Sequence, residues 1–340
     1  MKPLRAGLPE FGPGREFERI LSVLRAGPPA AGRRAGRSRA LLGPGDDAAV
    51  LPGGTVISTD LGIEGIHFRL DWISAREAGY RTAASGLSDM AAMAAEPTGV
   101  LASAAAPGDG RGVEDLMAGV SDLLSEVGVE LLGGDLARSP GPMILDIVSV
   151  GRAERPVCRS DARVGDDLWV TGVLGAAAAA AALWASGERV PPALRSAFAC
   201  PRPRVEEGRW LAHAGVTAGI DLSDGLASDA AHVAAASGAR AILEAGAVPL
   251  DPALAGVELP SGMQPIDLAL GGGDDYELLV ASPPGRLEER REEFEGRFGV
   301  SLTRVGRIAE GSGVFLELGG AGAVRSLAGQ GFDHFRRACP

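Results

Sequence analysis

Six short acidic motifs stand at turns rich in Gly or Ser. They are Gly45-Asp46-Asp47, Ser58-Thr59-Asp60, Ser88-Asp89, Gly133-Gly134-Asp135, Asp221-Leu222-Ser223-Asp224-Gly225 and Gly272-Gly273-Asp274-Asp275-Tyr276-Glu277. Aspartate carboxylates are hard oxygen donors, the kind magnesium takes in a near-octahedral shell that it completes with water. Carboxylates spread along a chain at strand ends can converge on several such ions beside substrate phosphates. Neighbouring glycines let backbone N–H groups reach phosphate oxygens. Taken singly, each aspartate reads as a helix cap or a turn residue. Six such motifs in one chain point to a shared metal–phosphate site.

Composition restricts how phosphate would be handled. Lys2 is the only lysine among 340 residues. A Walker A loop needs a lysine after its glycines, a protein-kinase fold needs one on its third strand, and Schiff-base chemistry needs one as nucleophile. Nucleotide phosphates would therefore be held by another architecture. The net charge of -11 argues against nucleic acid, whose binding rests on Lys and Arg, and leaves phosphate esters reachable through divalent ions. Cys158, Cys200 and Cys339 fit neither a zinc pattern nor a disulfide framework and read as free thiols of a reducing cytoplasm. Met1 to Glu10 lacks the apolar core of a secretory signal, and the apolar run from Gly175 to Ala185 is too short to span a bilayer. The expectation is a cytoplasmic protein with neither nucleic-acid nor membrane partners.

The elements that must position these motifs follow from periodicity. A helix is predicted over Arg15 to Ala26, followed by a loop carrying Arg33, Arg34, Arg37 and Arg39 that is either plain solvated chain or a phosphate collector. A short strand is predicted at Val56 to Ser58. Ser74 and Glu77 form a capping box opening a helix to about Ala84, and a second helix runs from Leu87 to Ala95. Helix Gly112 to Glu126 and strand Met143 to Val150, which carries Asp146, complete the first half. Near Gly151 the pattern restarts. Strands are predicted at Asp167–Thr171, Ala218–Leu222, Arg240–Glu244, Tyr276–Ala281 and Leu302–Ile308. Helices are predicted to Trp184, over Gly225–Ala236 and over Leu287–Phe298. Strands and helices mix without strict alternation, so the fold class is α+β, with domains at 1–151 and 152–340.

Read in order, Gly43-Pro-Gly-Asp-Asp-Ala-Ala-Val, Ser58-Thr-Asp-Leu-Gly-Ile-Glu-Gly-Ile-His-Phe, Leu87-Ser-Asp-Met-Ala-Ala-Met, Asp221-Leu-Ser-Asp-Gly, Gly273-Asp-Asp-Tyr-Glu-Leu and Gly331-Phe-Asp-His-Phe cover nearly the whole chain. Together they resemble the thiamine-monophosphate kinase family, within the superfamily of aminoimidazole ribonucleotide synthetase, selenophosphate synthetase and the hydrogenase-maturation dehydratase. The resemblance implies two mixed α/β domains of the aminoimidazole ribonucleotide synthetase-like type. The N-terminal one would bind ATP and magnesium and form the sheet of a homodimer, and the C-terminal one would complete the active site. It implies ATP-dependent phosphorylation of thiamine monophosphate to thiamine diphosphate with several Mg2+ ions. By the same resemblance Asp47, Asp60, Asp89, Asp135, Asp221 and Asp224 would hold the ions, with oxygens from Thr59 and Ser58. Ser58, Thr59, Gly134, Arg159 and Ser223 would contact ATP, and His67, Asp274 and Phe332 would lie near thiamine monophosphate. Asp89, Asp135 and Arg159 would carry catalysis, and Asp46 could stand in as a ligand.

The chain departs from the family pattern at Asp274, where Glu is usual, and at Leu61, Gly86, Ala176 and Ala177. The acceptor is a phosphate oxygen already largely ionised near pH 7, since its second pKa is about 6. No strong general base is needed, and direct in-line attack on the γ-phosphorus is expected. Two competing readings are another ATP-using enzyme of the superfamily, selenophosphate-synthetase-like or hydrogenase-maturation-like, and a non-catalytic nucleotide-binding relative. Among single residues, His67 reads either as structural or as a substrate contact, and Phe332 as core or as a stacking face for a cationic ring. His334 reads as a hydrogen-bonded structural residue and Tyr276 as packing. His213 and His232 carry no functional case, and Cys339 sits in a plain tail.

Overall fold

The computed structural model describes residues 10, 12–26, 41–260, 262–319 and 323–335. The arginine-rich segment at 33–39 and Cys339 lie outside them. Helix α1 (Arg15–Ala26) forms as its spacing predicts. The first sheet contains β1 (Ala49–Val50), β2 (Thr55–Ile63), β3 (Glu96–Ala106), β4 (Leu131–Gly133), β5 (Leu136–Arg138) and β6 (Ile144–Arg152). Its order is β1-β2-β6-β3-β4, with β5 also on β3. Its pairings are antiparallel except those of β3 with β4 and β5. Helices α2 (Ala75–Ala92) and α3 (Val113–Val127) accompany it.

The second sheet is built from β7 (Asp167–Thr171), β8 (Ala218–Asp221), β9 (Arg240–Glu244), β10 (Leu278–Ser282), β11 (Leu302–Ala309), β12 (Gly313–Glu317) and β13 (Val324–Ser326). Its order is β13-β12-β9-β11-β7-β10-β8, and only β9 and β12 pair in parallel. Among the described residues, six α-helices belong to this half: α4 (Ala176–Ala185), α5 (Pro192–Ala199), α6 (Val205–Ala214), α7 (Leu226–Ser237), α8 (Pro265–Gly271) and α9 (Arg291–Phe298). The α+β expectation holds.

Two sequence expectations are corrected. The two helices predicted on either side of Gly86 are one, α2. Its capping box forms as read, Glu77 N–H donating to the Ser74 hydroxyl and Ser74 N–H to the Glu77 carboxylate. Burial of Ala83, Ala84, Ser85, Gly86, Leu87 and Ser88 overrides the local cost of glycine. Glycine is required at 86, because a Cβ there would lie 2.7 Å from Ile147 Cγ2. Strand β3 escaped prediction because its inward residues in the second half are Ala102, Ala104 and Ala106, too small to mark an apolar face.

Helix α2 is the spine of the molecule. It packs on α3, β2 and β6 of the first half and on α5, α6 and β8 of the second. Against α3 the backbones touch: a Cβ at Gly119 would fall 1.7 Å from the Arg76 carbonyl. One buried core joins α2, α3 and the first sheet to α4 and α5, sealed by Trp72 stacked on Trp184 at 5.3 Å with Phe198 edge-on to both. A second core lies between α7 and the other sheet, and a third holds Trp169, Trp210 and Phe294 with Ala91 and Ala92 of α2. Glu277 is absorbed by structure rather than chemistry. Its buried carboxylate takes Arg204 at 2.8 and 2.5 Å and the Thr171 hydroxyl at 2.6 Å, locking the turn before β10.

Candidate active site

Because α2 packs on β8, the last turns of the helix meet the end of that strand. Asp89 of α2, Asp221 at the end of β8 and Asp47 before β1 each offer a carboxylate oxygen, and the three lie within 4.8 Å of one another. They open into a cavity of about 320 Å³ whose walls carry nine carboxyl-bearing residues and, among the described residues, a single arginine, Arg159. That imbalance is costly, since buried like charges raise one another's pKa. Burial and then Asp47 push the Asp221 carboxyl up to about 8. Burial and then Asp221 push Asp89 well above the ordinary carboxylate range. Asp46 and Asp224 are each raised to about 7, by burial first and then by Asp47 and Glu16 respectively.

Arg159 lowers the pKa of Asp46, Asp89, Asp221 and Asp224 without offsetting their burial. Its guanidinium pairs with Asp47, whose Oδ2 is buried without a hydrogen-bond partner. Asp46 accepts the Arg159 N–H, at 3.3 and 3.2 Å, and the Asp47 N–H, at 3.1 Å, so it braces the loop. An orphaned buried carboxylate oxygen, three converging acids and a surplus of negative charge fit a hard divalent cation. Asp60 and Thr59 of β2 line the same cavity, and the Thr59 hydroxyl donates to Asp146 at 2.9 Å. Ser223 and Asp224 join from the turn after β8.

Three expected residues lie elsewhere. Ser58, next to Thr59 on β2, does not line the cavity: it is buried, with its hydroxyl 3.4 Å from the Gly86 carbonyl. Gly134 and Asp135 sit exposed in the break between β4 and β5, pinned by the Ala104 N–H donating to the Asp135 carbonyl. They do not line the cavity because both short strands hang on the far edge of β3.

The opposite wall is aromatic and imidazole-bearing. His67, Asp274 and Phe332 all reach it. His67 Nδ1 accepts the Ile63 N–H at 3.0 Å, which leaves a proton on Nε2, 3.4 Å from His334 Nε2. Burial, and then His334, lower the His67 pKa to about 4, so the ring is neutral at pH 7. Phe332 packs edge-on to His334 at 4.8 Å. Above this wall lies α1, whose Glu16 and Phe17 line the cavity and whose Arg15 N–H donates to Asp333 at 2.6 Å. His334 is thus part of the site rather than merely structural. His232, read as carrying no case, lines the cavity too and accepts the Gly12 N–H. Tyr276 packs as expected, yet its hydroxyl donates to Asp274 at 3.3 Å.

Sequence reasoning also missed Asp229, which accepts the Asp224 N–H, and Arg81. The signal for Arg81 was present: it is the one charged residue between Glu77 and Asp89 in a helix otherwise uncharged over that stretch.

Comparison with known proteins decides the family. Residues 45–153 match the model of the AIR synthase related protein N-terminal domain, and residues 163–319 match its C-terminal domain. A thiamine-monophosphate kinase of Methanopyrus kandleri is 37% identical over 79% of this chain and 84% of its own length. That of Halobacterium salinarum is 38% identical over 85% and 94%. The chain belongs to the thiamine-monophosphate kinase family. Among solved structures, the family's member from Stenotrophomonas maltophilia is 34% identical, with a TM-score of 0.71 over 89% of this chain and 96% of its own. AaThiL complexed with AMPPCP and TMP superposes with a TM-score of 0.78, at 28% identity over 95% and 97%. A hydrogenase maturation protein HypE, 18% identical with a TM-score of 0.66, shares the fold.

Proposed function

We propose that this chain transfers the γ-phosphoryl group of ATP to thiamine monophosphate by direct in-line attack, assisted by several magnesium ions. The kinase activity rests on family membership; the convergence of Asp47, Asp89 and Asp221 carries the ionic part of the reading. Asp60, Thr59 and Asp224 extend that ligand set. Bound magnesium would neutralise phosphate charge that a wall of carboxylates otherwise repels. Arg159, already in place, offers its guanidinium to the transferring group, while Ser223 supports the nucleotide. Phe332 presents a ring face to the cationic acceptor, with His67 on the same wall. Gly134 and Asp135 lie exposed on the β3 edge, outside the cavity.

Turnover decides the activity. ATP, magnesium and thiamine monophosphate incubated with the chain should yield thiamine diphosphate and ADP. Absence of the diphosphate under these conditions would overturn the assignment.

The same reading makes the protein a homodimer with domains at 1–151 and 152–340, working in the cytoplasm. Leu61, Leu101, Leu131, Leu132 and Leu136, all exposed on strands of the first sheet, support self-association there. The two matched segments meet between residues 153 and 163, which supports the division. Cys158 and Cys200 are free thiols, in keeping with a reducing compartment. Sedimentation should give twice the chain mass, and glutamate at both Leu132 and Leu136 should shift it to the monomer. A wild-type monomer at micromolar concentration would refute the dimer.

A further inference from the structure

Arg81 is buried within α2, 2% exposed, and its guanidinium binds three separate parts of the fold. Nε donates to the His67 carbonyl at 3.2 Å, Nη1 to the Phe198 carbonyl at 2.6 Å, and Nη2 pairs with Asp274 Oδ1 at 2.5 Å. The plane of the group lies over the Phe198 ring, 3.9 Å from its centre. Only an arginine offers donors in a planar fork that reaches three acceptors at once.

The partners explain why such a clamp is present. Asp274 and Tyr276 adopt left-handed φ values of +65° and +51°, which residues bearing a Cβ avoid. Such conformations persist where surrounding contacts over-determine them. Here the Asp274 and Tyr276 N–H groups donate to the Ser223 and Leu222 carbonyls, both at 2.9 Å, and the Asp274 carboxylate is gripped by Arg81 and the Tyr276 hydroxyl. Asp274 is therefore already charge-balanced. In that it differs from Asp89 and Asp221, which no arginine pairs among the described residues, and it belongs to the opposite wall. His67, on the loop after β2, shares that wall and hangs from the same guanidinium.

We infer that Arg81 is a positioning residue for the phosphate acceptor: one buried guanidinium fixes His67 and Asp274 together and so sets the acceptor-side wall without touching the acceptor. The inference rests on the reading that thiamine monophosphate binds between His67, Asp274 and Phe332.

Steady-state kinetics on Arg81→Met, Arg81→Lys, Asp274→Asn and the Arg81→Met/Asp274→Asn double variant test it, with folding checked by circular dichroism. Arg81→Met should raise KM for thiamine monophosphate about tenfold or more while KM for ATP stays near wild type, the loss expected of a hydrogen-bonded charge. Arg81→Lys keeps the buried charge and the pair with Asp274 but not the fork, so its KM for the acceptor should fall between those of wild type and Arg81→Met. If Arg81→Met does not fold, the inference stands or falls on Arg81→Lys raising acceptor KM alone. Because the two residues act as one unit, the double variant should be no worse than the poorer single one. Additive effects, equal changes in both KM values, or an unchanged acceptor KM in folded variants would overturn the role of Arg81. Lack of thiamine monophosphate turnover in the wild type would instead refute the functional reading on which it rests.

Discussion

Asp89→Asn should lower kcat by about 10²–10³-fold, the cost of removing one preorganised electrostatic contact to a charge-transferring centre, and should at the same time raise the melting temperature of the ion-free chain. The two effects have one cause. Asp89 lies within 4.8 Å of Asp47 and Asp221, and burial together with Asp221 raises its pKa strongly. Its charged form, without a cation, is opposed by burial and repelled by Asp221, Asp60 and Asp47. An amide of the same shape removes that repulsion and so stabilises the ion-free chain. The same amide is a poor ligand for a hard cation, so turnover collapses. Scanning calorimetry in EDTA and steady-state assays in magnesium check both halves. A variant that is inactive and also less stable would mean that Asp89 is a packing residue; one that retains full rate would remove it from the ion site.

Withdrawal of divalent ions should abolish turnover, and addition of magnesium should restore it. The stability change that accompanies withdrawal has a defined pH dependence. Asp221 is raised to about 8, and Asp46 and Asp224 to about 7, against an ordinary value near 4 in the unfolded chain. Between pH 4 and pH 8 the folded ion-free chain therefore holds more protons than the unfolded chain. Stability contributed by these groups then falls as pH rises through that window. Below pH 4 both states are protonated and there is no penalty; above pH 8 the penalty is complete. Magnesium replaces the protons as counter-charge, so the gap between melting temperatures in saturating magnesium and in EDTA should widen steadily from pH 5 to pH 8. A gap independent of pH would show that the carboxylates are not the ion site. Turnover that survives exhaustive chelation would remove ions from the mechanism.

Both effects depend on the same design, a phosphate site made from anions. With a single lysine in the chain and one arginine on the cavity wall among the described residues, the protein carries little positive charge of its own there. It is committed to importing the charge. Leu61 is exposed on β2 rather than aimed at the ion site, and Gly86 fills a contact with Ile147 where any side chain would collide.

Local chemistry was legible in the sequence to the extent that it depends on neighbours in the chain. Glycine or serine beside aspartate named Asp47, Asp60, Asp89, Asp221 and Asp224 as candidates before any fold was known, although Asp60 lies within β2 and Asp89 within α2 rather than at the turns expected. The Ser74–Glu77 cap and the limits of α1 and β9 were equally readable, because each is set by periodicity or by a three-residue hydrogen-bond pattern. Tertiary structure alone decided which of those aspartates meet. The packing of α2 on β8 joins Asp89 to Asp221, and the hanging of β4 and β5 on the outer edge of β3 leaves Asp135 and Gly134 outside the cavity. It alone also reveals the partners of Arg81, Phe198 and Asp274 in the other half of the chain, and His334, brought against His67 across 267 residues. Spacing along a chain records what each residue does to its own backbone. Which distant groups share a low-dielectric cavity is settled only when helices and sheets bury their faces against one another, and the charge balance of the site follows from that burial.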